Sequence, residues 1–431
     1  MIAKLLKVAW KCLRNPLQVR KRIIRKMPNI IHIGNRTIVS KVRVRGRKCI
    51  KKTFENTEVG LACFKQEILA DELFRDKPWK PPIMKRGNPW FIMPYFQDKN
   101  RLDKILMDMD EKNREELATQ AIKILFDIFM AGYAHKDFHE NNIFLIDQKL
   151  KVVDFEFMEP YPEGKRPPFP LSYDITGEGL ESPQLTNHMC YKWNVQPGKG
   201  LQNVLKVTAE SALEAFSKDL KYKLQQACST FVTGNKRHVC KAGRIYSSFT
   251  LPYIYVKPEE AQRNSEIRLN KFGIGKEIIQ GKTVLDIGSN IGGMIFSIQK
   301  YGPKACLGID IDADKTIIAK EIAAFNGLNN FKFIQADIDF IDVNSINGPF
   351  DVVFCLAIEA HVKNPKKLFK LLSQITSGLL YFEGNASTDQ EYLKRSLFDE
   401  GFHDVSYIGI SNDDCIPENN CRPLFIARKT P

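Results

Sequence analysis

The stretch HKDFHENNIFLIDQKLKVVDFE, residues 135–156, decides how the N-terminal half is read. It holds two acids, Asp137 and Asp154, and an amide, Asn142, five residues after the first acid. A β-rich run, 143–153, separates the two halves. Phosphoryl transfer from ATP asks for such a set: one carboxylate orients the attacking hydroxyl, while a second carboxylate and an amide hold Mg2+ against the phosphates. Asp137 is the candidate catalytic acid, and Asn142 and Asp154 are the candidate metal ligands. The plain alternative is a helix-to-hairpin turn with solvated acids, against which the fixed offsets of the set speak.

The spacing H-x-D-x-x-x-x-N followed by D-F resembles the catalytic and metal-binding loops of the protein-kinase-like fold. The resemblance implies an α+β bilobal domain over residues 30–245, with a small lobe at 30–95 and a large lobe at 96–245. In such a small lobe a strand lysine holds the α/β-phosphates and pairs with a helix glutamate. Lys51 fits best, with Cys49 on the same face and Lys52 as competitor; Glu67 is the expected partner, ahead of Glu72. Backbone groups near Met93–Tyr95 (Met93 and Tyr95 above all) are placed for an adenine edge. The sequence departs from protein kinases in having no G-x-G-x-x-G and no A-P-E, and in reading D-F-E rather than D-F-G. D-F-E endings resemble the aminoglycoside and choline kinase-like branch and the lipopolysaccharide core kinases. Twenty residues from Asp154 to Asp174 leave little chain for a peptide platform, so the resemblance implies a hydroxyl on a glycan or small molecule as acceptor. Asp174 reads as a structural brace of the catalytic loop, and 183–245 as mainly helical, with 207–227 the clearest element.

A second site begins near residue 282. KTVLDIGSNIGGMIFSIQKYG is a strand, a glycine turn and a helix, a form that brings backbone close to a ligand at a helix N-terminus. A second strand, ACLGIDID, ends in Asp310, eighteen residues after Gly292, where an acid can accept both ribose hydroxyls. A third, FKFIQAD, ends in Asp337, facing an adenine amine; a fourth, FDVVFCLAIEAHV, ends in polar residues. Together these resemble the class I S-adenosylmethionine-dependent methyltransferases, an α/β Rossmann-like fold, over 282–431. The resemblance makes Asp286, Gly288, Asn290, Gly292, Asp310 and Asp337 the donor-binding set; a nicotinamide-binding Rossmann domain is the alternative. Glu359, His361 and Glu383 fall near the expected rim, with His361 and Glu359 the candidate catalytic groups. Residues 246–281 read as a linker in which a helix over 259–272, carrying Arg263 and Arg268, lids the site, binds the donor's carboxylate or is simply solvated.

Charge is unevenly placed. Residues 1–52 contain seventeen Lys or Arg and no acid, so against a whole-chain charge of +14 the remainder sums to −3. The segment 1–29 reads as a basic amphipathic arm with Trp10 and several leucines on one face, suited to an anionic membrane surface through residues 1–27; packing on the protein itself and nucleic acid are the other partners considered. A hydrophobic fraction of 43% is that of a globular chain. The ten cysteines form no C-x-x-C pair, which points to a reducing compartment and against a zinc site. The combined expectation is a bifunctional transferase at the inner face of the membrane, using ATP, Mg2+ and S-adenosylmethionine on one glycan or small-molecule acceptor. The pair of activities is similar to the bacterial O-antigen chain-terminating kinase–methyltransferases, in reversed order. An RNA- or metabolite-modifying enzyme, or a methyltransferase with a degenerate kinase-like scaffold, are the alternatives.

Overall fold

The computed structural model describes residues 29–34, 36–176, 209–233, 236–240 and 242–429. The basic arm, apart from Asn29, lies outside the described residues. The chain divides into two compact units, one running to Tyr161 and including Leu171–Leu213, the other made of Pro162–Pro170 and everything from Glu214. The division at 213/214 replaces the boundary expected at 245/246. The helix α3 (Ala209–Cys228), where 207–227 was expected, is followed by a hairpin, β8 (Thr230–Thr233) and β9 (Lys236–Val239), rather than by more helix. That hairpin belongs to the second unit.

In the first unit an antiparallel sheet has the order β1-β2-β3-β5-β4, from β1 (Ile30–Ile33), β2 (Thr37–Val44), β3 (Arg47–Phe54), β4 (Lys85–Gly87) and β5 (Trp90–Pro94). Helix α1 (Glu58–Phe74) follows β3, and the Thr57 side chain caps its first turn by accepting from Gly60 N at 3.1 Å. Its buried residues, Gly60, Cys63, Glu67, Ala70, Asp71 and Phe74, recur at helical spacing and face the sheet. Phe54, Cys63, Phe91 and Met93 form the core between them. Helix α2 (Glu111–Met130) buries Leu117, Ile122, Leu125 and Phe129 and leads to a loop and a hairpin, β6 (Ile143–Ile146) with β7 (Lys149–Val152).

The second unit is built on a seven-stranded sheet. In chain order its strands are β10 (Thr283–Ile287), β11 (Ala305–Asp310), β12 (Phe331–Gln335), β13 (Phe350–Leu356), β14 (Thr376–Glu383), β15 (Asp404–Ser411) and β16 (Arg422–Arg428). Their spatial order is β12-β11-β10-β13-β14-β16-β15, parallel as far as β14, with β16 antiparallel to both of its neighbours. The central strands are apolar on both faces because helices cover both; Leu285, Ile287, Val353 and Phe382 lie in the main core. Strand order reverses at β10, between β11 and β13, and in open α/β sheets a ligand crevice forms at the carboxyl end of that point. Where a helix was expected over 259–272, the chain forms a short strand, Ala261–Arg263, paired with Ile245–Ser247, and then a helix, Ser265–Lys271, capped by the Asn264 side chain. The described cysteines are free thiols, mostly buried, with Cys415 and Cys421 exposed.

Candidate active sites

At the carboxyl end of β10 the chain turns at Gly288 (φ +71°), Asn290 (φ +52°) and Gly292 (φ +83°) before a short helix, Gly293–Ser297. A Cβ on Gly288 would lie 2.1 Å from the Ile358 side chain, and one on Gly292 2.7 Å from the Phe333 ring, so the turn has room for neither. Gly288 N and Ser289 N donate to Ile309 O, and Asn290 N donates to the Asp310 carboxylate at 2.8 Å. The other Asp310 oxygen accepts from Asp312 N at 2.8 Å. Burial nonetheless keeps Asp310 above the ordinary carboxyl range, against the pull of Lys315. Gly288, Asn290, Ile309, Asp310 and Lys315 line a cavity of about 1000 Å³.

Gly288, Asn290, Asp310, Asp337 and His361 are on the cavity wall. Asp286 is not. It lies inside the sheet, flanked by Gly308 and Phe354, at 3% exposure, and burial pushes its carboxyl up to about 8. Gly292 stands behind the wall and shapes the turn. Glu359 is buried off the cavity wall, with its Oε1 accepting from Asn385 N and from Thr388 Oγ at 2.7 Å, so that oxygen braces a loop. Glu383 is fully buried, holding Arg263 at 2.8 Å and Arg268 at 2.6 Å. Those arginines therefore neither lid the cavity nor face it. Sequence reasoning missed the hairpin, which lines the cavity with Phe231 and His238, rings stacked at 5.1 Å, and ties Arg237 to Asp312 (3.2 Å) and Asp314 (3.1 Å). Its signal was present: two four-residue runs, TFVT and KRHV, flank a Gly-Asn pair, which reads as a two-residue hairpin turn.

The first unit holds a smaller cavity, about 240 Å³, whose wall includes Arg36, Lys52, Glu67, Met93, Asp154 and Glu156. The lysine paired with Glu67 is Lys52, at 2.7 Å, and not Lys51. Side chains alternate along β3, so Ile50, Lys52 and Phe54 share the face under α1 while Lys51 projects oppositely, its Nζ 4.4 Å from the Trp90 ring centre. Lys52 Nζ also meets Asp154 at 3.0 Å and Glu156 at 2.8 Å. Burial alone would lower its pKa, but the Asp154, Glu67 and Glu156 carboxylates raise it well above the ordinary value. Glu156 is held above the usual carboxyl range, first by burial and then by Asp154. Tyr95 N donates to Lys48 O at 3.3 Å, which engages one of the donors expected at an adenine edge.

In the loop before β6, Asn142 Nδ2 donates to the Asp137 carboxylate at 3.0 Å, and His139 Nε2 lies 3.5 Å from the same carboxylate. Asp154, about a third exposed, adopts φ +68°, a strained conformation for a residue with a side chain. His135 packs on Phe155 beside both acids, and burial pushes its imidazole down to about 4. Asp174 accepts from His135 N at 2.7 Å and Lys136 N at 2.9 Å, bracing the loop as a buried acid that burial raises to about 6.

Comparison with known proteins bears on the second unit. Residues 278–395 match the family model of the methyltransferase domain. The C-terminal unit thus carries a methyltransferase domain. The tRNA U34 carboxymethyltransferase of Campylobacter concisus is 31% identical over 112 residues, 24% of this chain and 36% of that protein. The ribosomal protein L11 methyltransferase of Thermotoga petrophila is 24% identical over 140 residues, 32% of this chain and 49% of that protein. The chain therefore spans between a third and a half of the length of these relatives. Among solved structures, the N-terminal domain of EvdMO1 with SAH bound covers 50% of this chain and 97% of its own at 15% identity, with a TM-score of 0.36. The methyltransferase domain has the Rossmann-like sheet that its glycine turn and following acids imply.

Proposed function

We propose that the chain is a bifunctional transferase whose C-terminal unit methylates, from S-adenosylmethionine, the acceptor that its N-terminal unit phosphorylates from ATP. The observation that carries the methyltransferase half is the cradle of Gly288, Asn290 and Asp310 at the switch point of the sheet. The turn excludes a Cβ, and two backbone N–H groups fix the acid that would hold ribose hydroxyls; Asp337 would meet the adenine. The bound donor supplies an activated methyl group; the protein's part is to bind it, exclude water and align an acceptor. His361 is the one expected catalytic group on the wall, an exposed side chain whose imidazole partial desolvation, with help from Arg422, lowers from its ordinary value against the pull of Glu359; it is proposed as the group that accepts a proton.

The kinase half rests on Lys52, Glu67 and Asp154, joined across 102 residues of sequence, and on the Asp137–Asn142 pair. Lys52 would hold phosphates. Asn142 directs Nδ2 at Asp137, so its Oδ1, with Asp154, is the oxygen set a hard cation would take. Asp137 would orient the acceptor hydroxyl. The acceptor is proposed as a glycan or small molecule, presented at the inner face of the membrane to the basic arm 1–27. No helix among the described residues is long and apolar enough to cross a membrane.

The test is direct. S-adenosylhomocysteine should bind the protein, and label from γ-labelled ATP should enter a lipid or glycan fraction and vanish in Asp154→Ala. Label that stays in ATP with every extract would leave a methyltransferase beside a scaffold. Deleting 1–27 should abolish binding to anionic liposomes, and salt-sensitive RNA binding through the arm would favour the nucleic-acid reading.

A further inference from the structure

The donor cradle accounts for only part of the large cavity. About 1000 Å³ is at the upper end of what one small ligand fills, so there is room for an acceptor beside the donor. The wall also includes His361, Asn419 and Arg422, which the glycine turn and its acids leave without a role.

Arg422, at the start of β16, belongs to a group of three guanidiniums and three acids: Arg263, Arg268 and Arg422 with Glu383, Asp413 and Asp414. Two of the arginines are sealed in. Arg263 and Arg268 are 1% and 3% exposed, are held at 2.6–2.8 Å by Glu383 and Asp413, and do not reach the wall. Arg422 is held less closely. It donates from Nη1 to Glu383 at 3.4 Å, lies 3.9 Å from Asp414, and its side chain is 12% exposed; its Nε, like Nη1 of Arg263, is buried without an acceptor. The two Glu383 oxygens are already taken at shorter range by Arg263 and Arg268, so Arg422 is not needed to neutralise that acid. Among the described residues it is the one arginine on the cavity wall.

A guanidinium held this loosely, in a wall and short of close acceptors, suits a ligand that brings its own charged oxygens; the planar fork matches carboxylate and phosphate alike. Resting on the methyltransferase reading, we infer that the methyl acceptor carries an oxyanion, a carboxylate or a phosphate, which docks on Arg422 beside the donor. His361 and Asn419 stand on the same wall to meet its remaining oxygens or its reacting group. Arg422 is in this sense a specificity residue that reads the acceptor's charge.

The test uses the full-length protein saturated with S-adenosylhomocysteine, titrated with inorganic phosphate and, separately, with acetate, each followed by ligand-observed NMR. One of the two anions is expected to bind, and the tighter one names the class. Arg422→Met should weaken that binding tenfold or more while affinity for S-adenosylhomocysteine and the melting temperature hold. Arg422→Lys, which keeps the charge and loses the fork, should fall between. The inference is overturned if neither anion binds the wild-type protein, or if either variant binds it as tightly as wild type. Failure of S-adenosylhomocysteine itself to bind would overturn the methyltransferase reading, and this inference with it.

Discussion

The two candidate sites are made from different materials. The C-terminal cavity is shaped mainly by backbone: a glycine turn and N–H groups that fix Asp310, with the ion pairs around Glu383 reaching the wall only at Arg422. The N-terminal cleft is shaped by side-chain charge, one ammonium held by three carboxylates in a quarter of the volume. A site framed by backbone is ready for a ligand, because nothing inside has to let go. A site framed by paired charges is ordered by those pairs, and a ligand must exchange with them. Substitutions should therefore act mainly on binding in the first site and on both stability and chemistry in the second.

The largest effect is expected for Asp154→Ala, which removes a proposed metal ligand worth several kcal/mol to the transferring phosphate; phosphoryl transfer, followed with labelled ATP, should drop about a thousandfold or more. Unchanged transfer would break the comparison at its N-terminal side. Lys52→Met leaves three acids without their cation and should destabilise the first unit by about 3–5 kcal/mol, read as a lower midpoint in urea. Lys51→Met should cost no more than about 1 kcal/mol, the value of an exposed cation–π contact. Equal losses for the two would overturn the assignment of Lys52. In the C-terminal cavity Asp310→Ala should lower affinity for S-adenosylhomocysteine by about 1.5–3 kcal/mol, the worth of hydrogen bonds to a charged group, with little change in melting. A large drop in melting instead would mean that both sites are held together in the same way.

The smallest effect concerns pH. His135 has a folded pKa depressed to about 4, so its contribution is complete above its ordinary value of 6.5 and is lost as pH falls through about 4. Asp174 has a folded pKa raised to about 6, so its contribution is complete below 3.8 and is lost as pH rises through about 6. The two nearly offset, and hydrogen-exchange protection in α2, relative to the free-peptide rate at each pH, should vary little between pH 4 and 6. In His135→Gln the Asp174 trend should stand alone, with protection falling as pH rises. A flat profile in that variant would mean that Asp174 is not perturbed.

Much of this was legible in the sequence because it rests on local pattern. The strands ending at Asp310 and near Asp337, the glycine turn and the Asp137–Asn142 spacing are written in runs of ten to twenty residues. What was missed depends on distant partners. RKCIKKTF has apolar residues on both faces, and only the seating of α1 decides that Lys52 rather than Lys51 faces inward. Glu359 and Glu383 look like free acids near a rim until Thr388, Arg263 and Arg268 are in place around them. The hairpin after α3 was absorbed into a helical reading, which moved the boundary between units by about thirty residues.

The hold on Lys52 carries a consequence for the proposed capture of ATP. An ammonium has three N–H bonds to give, and three carboxylates already share them. On the kinase reading an arriving phosphate oxygen would take one over, and Glu156, whose carboxyl burial and Asp154 hold above its ordinary value, is the partner most ready to yield. Released from its cation in a buried place, its carboxyl would be raised further. Nucleotide capture should then draw a fraction of a proton from solution. Calorimetric titrations in buffers of different ionisation enthalpy should show heats that diverge with the buffer, and in Glu156→Gln the heats should converge.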